Sequence, residues 1–314
     1  MLDITTIGEV LIDLTQTGCS EQGVPLFAAY PGGAPANVAV AAAKLGASTA
    51  FVGKTGQDEF GSYLRRVLAE HGVDVTGLHT DRSPTSLAVV SVSPGGERSF
   101  RFMRGADTNL SPDEIDEGWV DRSKVLHFGS VSLTAGMSRS ATIFAARRAH
   151  KTGKLVSYDP NYRASLWADD AAACDQIRSI LPIVDIIKLS QEEMPFAAGI
   201  DDVDTAIKVL RKEGVALIVI TLGEGGAVVA TGDQQRSVPA FPCDAVDTTG
   251  AGDAFFGGFL SEFVKSGKSV YEVSIDDMVR FARVGCATAS LCIGRRGGIP
   301  AMPTMEEVTA LLNG

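Results

Sequence analysis

Short apolar, β-rich runs alternate along the chain with longer segments whose apolar residues recur at helical spacing. The runs are Ile4–Ile7, Ser48–Val52, Val125–Phe128, Leu155–Tyr158, Ile186–Leu189 and Leu217–Thr221. Between several of them lie Met137–His150, Asp170–Leu181 and Val203–Glu213, which end near the stops Gly153, Pro182 and Gly214. This alternation predicts parallel βαβ units, with helices on both faces of one sheet. One region breaks the rhythm. Ser86–Ser93 and Arg98–Met103 are strand-like and are joined by Pro94-Gly95-Gly96-Glu97, which reads as a β-hairpin. Thr15–Tyr30 is also poor in helix signals. The expectation is a single α/β domain over 1–314, with a small β-rich lid from two inserted segments, about 14–32 and 84–107. No Pro/Ser linker, low-complexity tract or internal repeat interrupts it.

Near the C-terminal end, Asp247-Thr248-Thr249-Gly250-Ala251-Gly252-Asp253 runs into an apolar helical pattern at 255, 256, 259, 260 and 263. The small residues therefore sit at a helix N-terminus. Free backbone N–H groups there make an anion site, and glycines let the backbone come close to a ligand. An aspartate in such a place has two readings. It is a helix cap, or it is a general base that takes a proton beside a transferring phosphoryl group. Spacing alone favours the cap.

A second glycine turn, Gly32-Gly33, precedes Asn37, which is expected to cap or open a helix over Val38–Leu45 that Gly46 ends. An amide at a helix start can also pair with a ligand's hydroxyls. Arg163 follows a predicted strand in Asp159-Pro160-Asn161-Tyr162-Arg163, at the edge where open α/β sheets bind ligands. Arg101 lies in the lid; either arginine also reads as a solvated cation. Gly53-Lys54-Thr55 looks like the end of a phosphate-binding loop, but Ser48 stands where the leading glycine belongs, so the motif fails. Gly56-Gln57-Asp58-Glu59-Phe60-Gly61 reads as a structural turn.

Composition narrows the classes further. The 45% apolar and 21% charged residues suit a globular chain, and 314 residues suffice for a large core without disulfides or a structural metal. A net charge of −10 argues against nucleic-acid or membrane-surface partners, so an anionic ligand needs a local device. The five scattered cysteines contain no C-x-x-C pair, and the histidines lack metal-ligand spacing. Reduced thiols and a cytoplasmic location are expected, with no signal peptide and no membrane span.

The Asp247–Phe255 run resembles the second signature of the ribokinase-like (PfkB) carbohydrate kinase family. Gly32-Gly33-Ala34-Pro35-Ala36-Asn37-Val38-Ala39 resembles the first. The resemblance covers the whole chain. It implies a ribokinase-like fold: a mostly parallel central sheet flanked by helices, with a β lid. It implies Asp253 as catalytic base and the Gly250, Ala251 and Gly252 amides as the anion hole. Asp13, Gly32, Gly33 and Asn37 would contact the sugar, with Arg101 or Arg163 as substrate-side cations. For ATP it implies Lys188, Ser190 and Glu193, with Ser190 standing where many members have Asn, and the turn at Thr221, Gly223 and Gly226. Glu193 would help hold Mg²⁺, partly through water. Asp247 and Thr249, with the loop 293–303, would hold K⁺.

Gly8-Glu9-Val10-Leu11-Ile12-Asp13 and the lid run Phe100–Asp107 look most like bacterial fructokinases. The resemblance thus implies ATP-dependent formation of fructose 6-phosphate. A 2-keto-3-deoxygluconate kinase is the nearest rival, followed by ribose and nucleoside kinases. A non-catalytic sugar or nucleotide sensor on this fold is the rival from another class. A Rossmann dehydrogenase is excluded, because no G-x-G-x-x-G follows the first strand. The partners implied are a small sugar and ATP, and the open edges of the lid suit pairing with a second copy as a homodimer.

Overall fold

The computed structural model describes residues 1–92 and 98–314. The strands are β1 (Leu2–Ile7), β2 (Leu11–Cys19), β3 (Pro25–Gly32), β4 (Thr49–Gly56), β5 (Leu78–Asp81), β6 (Leu87–Val92) and β7 (Arg98–Met103). They continue with β8 (Ser123–Gly129), β9 (Leu155–Asp159), β10 (Ile186–Ser190), β11 (Leu217–Thr221), β12 (Ala227–Thr231) and β13 (Gln234–Val238). The helices are α1 (Ala34–Lys44), α2 (Glu59–Glu70), α3 (Glu117–Asp121), α4 (Gly136–Lys151) and α5 (Asp170–Ser179). After them come α6 (Met194–Ala198), α7 (Val203–Lys212), α8 (Ala251–Ser266), α9 (Ile275–Ile293) and α10 (Met305–Asn313).

Among the described residues a nine-stranded sheet runs β13-β12-β11-β10-β9-β8-β1-β4-β5. It is parallel from β11 to β5, and β12 runs antiparallel to both its neighbours. Both faces are covered, as a parallel sheet requires. Successive strand residues face opposite sides, and the alternation is visible in the core. Ile4, Val125, Ile186, Leu217 and Val219 pack with helices α1, α8 and α9. Phe128, Tyr158, Ile187, Leu189, Ile218 and Ile220 pack with α4, α5, α6 and α7. Each strand run and each helix predicted from hydrophobic spacing lies on an observed element.

Helix α8 is buried on nearly every side, from Asp253 to Ser261 without a break. Glycines make that possible. A Cβ on Gly257 would lie 2.5 Å from Ala41 Cβ of α1, so the two helices meet backbone to backbone. This contact carries the start of α8 to the start of α1.

A second sheet, β3-β2-β6-β7, stands apart from the first. Its strands β2 and β6 are parallel, and β3 and β7 pair antiparallel on the outside. The expected hairpin strands are β6 and β7, while the turn at 94–97 lies outside the described residues. The segment poor in helix signals is the β2–β3 hairpin, which begins at Leu11 rather than near residue 14.

Two local readings change. The helix expected over Val38–Leu45 starts at Ala34, with Pro35 in its first turn, so Asn37 lies inside the helix and does not cap it. Pro35 suits that place because its missing N–H would be unpaired there anyway. Second, Gly53-Lys54-Thr55 lies within β4, and Lys54 is buried against Asp81 and Glu114. Its ammonium is an internal ion-pair partner, in keeping with the failed phosphate-loop motif.

Candidate active site

The parallel strands β1, β8, β9, β10 and β11 all end at one edge of the large sheet. Loops leaving those ends, the first turns of α1 and α8, and the strands β2 and β3 converge there. Asp253 stands in the first turn of α8, after Gly250 in a left-handed conformation (φ 78°). It is 5% exposed. Its side chain accepts from Asn37 Nδ2 of α1 at 2.8 Å and from Asn161 Nδ2 at 3.2 Å, one amide on each oxygen. Burial pushes its carboxyl up to about 6; Asp159 adds to the rise, while the Asn37 amide, Lys188 and Arg163 oppose it. In the first turn of α8, Ala251 N donates to Thr248 O at 3.2 Å, while the N–H groups of that turn lack the partners a helix interior would give them.

Asp159, the last residue of β9, accepts from Lys188 Nζ at 2.6 Å, and both are buried. Burial lowers the Lys188 pKa, but Asp159, Glu193 and Asp253 outweigh it and hold the ammonium above its ordinary value. A Cβ on Gly252 would lie 2.9 Å from Lys188 Nζ. The ammonium therefore sits directly against the small-residue turn, and a side chain at 252 would have to displace it. Glu193 is also buried: Oε1 accepts from Tyr162 N at 2.7 Å and Oε2 from Ser190 N at 2.8 Å. Burial and Asp159 raise its carboxyl despite Lys188. Ser190 caps the short turn that contains Glu193.

Across the site, Asp13 of β2 lies opposite Tyr30 of β3, and Gly32 ends β3 opposite Leu11. Gly33 precedes α1. Burial raises the Asp13 carboxyl to about 7, with Arg163 opposing and Asp253 and Asp247 adding to the rise. Of the two candidate arginines, Arg163 is the one whose charge reaches both Asp13 and Asp253. Arg101 is exposed on the outer strand β7.

On the β11 side, Thr221 pairs with Ser190 in register and its hydroxyl donates to Leu189 O at 3.2 Å. Gly223 and Gly226 flank a short turn between β11 and β12, both at positive φ (57° and 89°). In the loop before α8, Asp247 accepts from Thr249 N and Gly297 N, each at 3.0 Å, which ties the 293–298 turn to the start of α8.

The structure thus brings Asp13, Gly32, Gly33, Asn37, Arg163, Lys188, Glu193 and the 250–253 turn to one edge, with Thr221 and its glycine turn beside Ser190. It adds two residues that sequence reasoning quoted without singling out, Asp159 and Asn161. Their signal was a polar Asp-Pro-Asn turn directly after a strand's C-terminal end.

The donor set fits a polyphosphate and a hard cation. A helix N-terminus and a buried ammonium face the approach to Gly252, and a buried carboxylate, Glu193, stands near. The profile of the family described as pfkB family carbohydrate kinase matches residues 1–305. The chain belongs to this family. Fructokinase-1 of Zea mays is 41% identical over 316 residues, covering 98% of this chain and 97% of the relative. Fructokinase with bound ATP from Xylella fastidiosa superposes with a TM-score of 0.91 at 32% identity, covering 99% and 98% of the two chains. A fructokinase double mutant from Vibrio cholerae O395, solved with fructose, ADP and potassium ion, gives a TM-score of 0.88 at 29% identity, covering 99% and 98%. The pfkB fold expected from the two glycine signatures is therefore the fold of this chain, and the chain is an ATP-dependent sugar kinase. Among the described residues no helix is long and apolar enough to cross a membrane.

Proposed function

We propose that this chain is a fructokinase that transfers the γ-phosphoryl group of ATP to the 6-hydroxyl of fructose. One observation carries the mechanism. A buried carboxylate, Asp253, stands in the first turn of a helix whose free N–H groups suit an anion, and two amides hold it in place. The small sheet is the lid over the sugar, within one α/β domain spanning the chain. Fructose binds against Asp13, Gly32, Gly33 and Asn37, with Arg163 and Arg101 as cations on the substrate side. Closure of the lid excludes water, which would otherwise accept the phosphoryl group.

Asp253 takes the proton of the primary hydroxyl as that oxygen bonds to the γ-phosphorus. The bond from the γ-phosphorus to the β–γ bridging oxygen breaks, and ADP leaves. The N–H groups at 250–253 and the Lys188 ammonium stabilise the charge on the transferring group. Ser190, Thr221, Gly223 and Gly226 line the nucleotide side. Bound Mg²⁺ supplies charge neutralisation of the phosphates, and Glu193 would hold it through water. Potassium is assigned to the loop of Asp247 and Thr249, whose clasp with Gly297 fixes the start of α8. We place the protein in the cytoplasm, with five free cysteines. A homodimer through the lid would cover Leu26 and Phe27, exposed in β3; sedimentation velocity tests it, and a monomer at all concentrations refutes it.

A sugar panel with coupled ADP detection, with and without K⁺, tests the assignment. The highest kcat/KM is expected on fructose. A substantially higher value on 2-keto-3-deoxygluconate would transfer the assignment to that substrate. ATP binding without ADP release on any sugar would point to a sensor.

A further inference from the structure

Asn161, one of the two amides that hold Asp253, combines three features. Among the described residues it alone, apart from glycines, has positive φ (46°). It is buried, and its side-chain amide meets Asp253 Oδ1. Its backbone N–H donates to Asp159 Oδ1 at 3.2 Å, while the other oxygen of Asp159 accepts from Lys188. The next residue, Tyr162, donates its N–H to Glu193. The turn is therefore pinned by two buried carboxylates on the phosphate side, and its side chain points across to the base. A left-handed non-glycine residue costs free energy that neighbouring structure must offset, and such strain collects at functional sites.

We propose that Asn161 is a positioning residue for the base. Its amide, aimed by this pinned turn, fixes one carboxylate oxygen of Asp253 opposite the oxygen that Asn37 holds, and so sets which lone pairs face the incoming hydroxyl. The proposal rests on the reading of Asp253 as the base. It gives the Asp159–Lys188 pair and Glu193 a second role: they hold the turn that orients the carboxylate, linking the phosphate side of the site to proton abstraction.

The amide also favours the ionised carboxylate, because it donates to the charged form. The other groups acting on Asp253 are Asp159 of β9, Lys188 of β10, Arg163 of the following loop, Asp13 of β2, Asn37 of α1 and Cys292 of α9. Asp159 and Asp13 disfavour its ionisation, and Lys188 and Arg163 favour it. Deleting the Asn161 amide therefore moves the balance towards the protonated acid.

Asn161→Gly is the direct test, because glycine adopts positive φ freely and only the amide is lost. We expect kcat to fall about tenfold or more, with KM for ATP and fructose changed far less. The acid limb of the kcat/KM pH profile should move up by about one pH unit. Asn161→Asp, nearly isosteric and tolerant of the left-handed turn, should move it further through like-charge repulsion. Circular dichroism and Tm establish that each variant is folded. A wild-type kcat and acid limb in the glycine variant would overturn the proposal. So would a fall in kcat with the acid limb unmoved in both variants, which marks a merely structural role. Asp253→Asn separates the two ideas: if it turns over normally, the base assignment fails, whereas an inactive Asp253→Asn beside an unaltered Asn161→Gly sinks only the positioning role.

Discussion

Replacing Lys188 with methionine should cost about 3 kcal/mol of stability. Methionine keeps the length and apolar stem but removes the ammonium. Lys188 is 5% exposed and Asp159 2%, at 2.6 Å, so neither can turn to water. Breaking a buried pair by removing one partner costs about 3–5 kcal/mol, mostly because the remaining charge is left without compensation. Asp159 retains one backbone donor, Asn161 N, which places the expected loss near the lower end, about 3 kcal/mol. Urea unfolding of wild type, Lys188→Met, Asp159→Asn and the double variant measures it, and the cycle isolates the coupling. The double variant should recover about 1 kcal/mol or more relative to Lys188→Met. The sign with pH is fixed too. Because the folded Lys188 pKa is raised, its contribution is fully present below the ordinary 10.5 and is lost as pH rises through the folded value. A loss below about 1 kcal/mol in Lys188→Met, or no coupling in the cycle, would refute the claim that this pair is a buried, mutually dependent unit.

Further expectations follow from individual contacts. Gly252→Ala would put a methyl 2.9 Å from Lys188 Nζ and into the approach to the helix N-terminus, so steady-state kinetics should show kcat/KM for ATP falling about a hundredfold. Gly257→Ala should do the reverse: its methyl meets Ala41 at 2.5 Å, so chemical denaturation should show a loss of about 1–3 kcal/mol while KM values hold. Glu9 is buried beside Arg104 and Asp107, with Ala34 N donating to Oε1, and burial raises its carboxyl to about 7. A raised carboxyl pKa means stability falls as pH rises from about 4.5 through 7, so Glu9→Gln should flatten that fall in Tm against pH.

The layered fold was legible because hydrophobic periodicity records burial directly. Ile186–Leu189 and Leu217–Thr221 are apolar without a break since both sheet faces are covered, and Val203–Glu213 alternates at helical spacing since one face meets water. Positions set by tertiary contact were less legible. Asn37 sits three residues inside α1, and its partner, Asp253, is 216 positions away, so local spacing pointed to a cap. The failed phosphate-loop motif left Lys54 without a role, and only the fold supplies its partners, Asp81 and Glu114. Asn161 was hidden in the opposite way: a polar residue after a strand reads as an ordinary turn, and only the fold reveals where its amide points. Asp253 itself was ambiguous on spacing, and it is the convergence of α1, α8 and the β9 loop that gives its carboxylate two amide partners.

The base assignment is tested most directly by the turnover of Asp253→Asn with fructose and ATP at saturating Mg²⁺, read as ADP release alongside calorimetric binding of both ligands. The account predicts that both ligands bind within a few-fold of wild type while kcat falls by about 10²–10⁴. Binding retained with kcat within about threefold of wild type would contradict it.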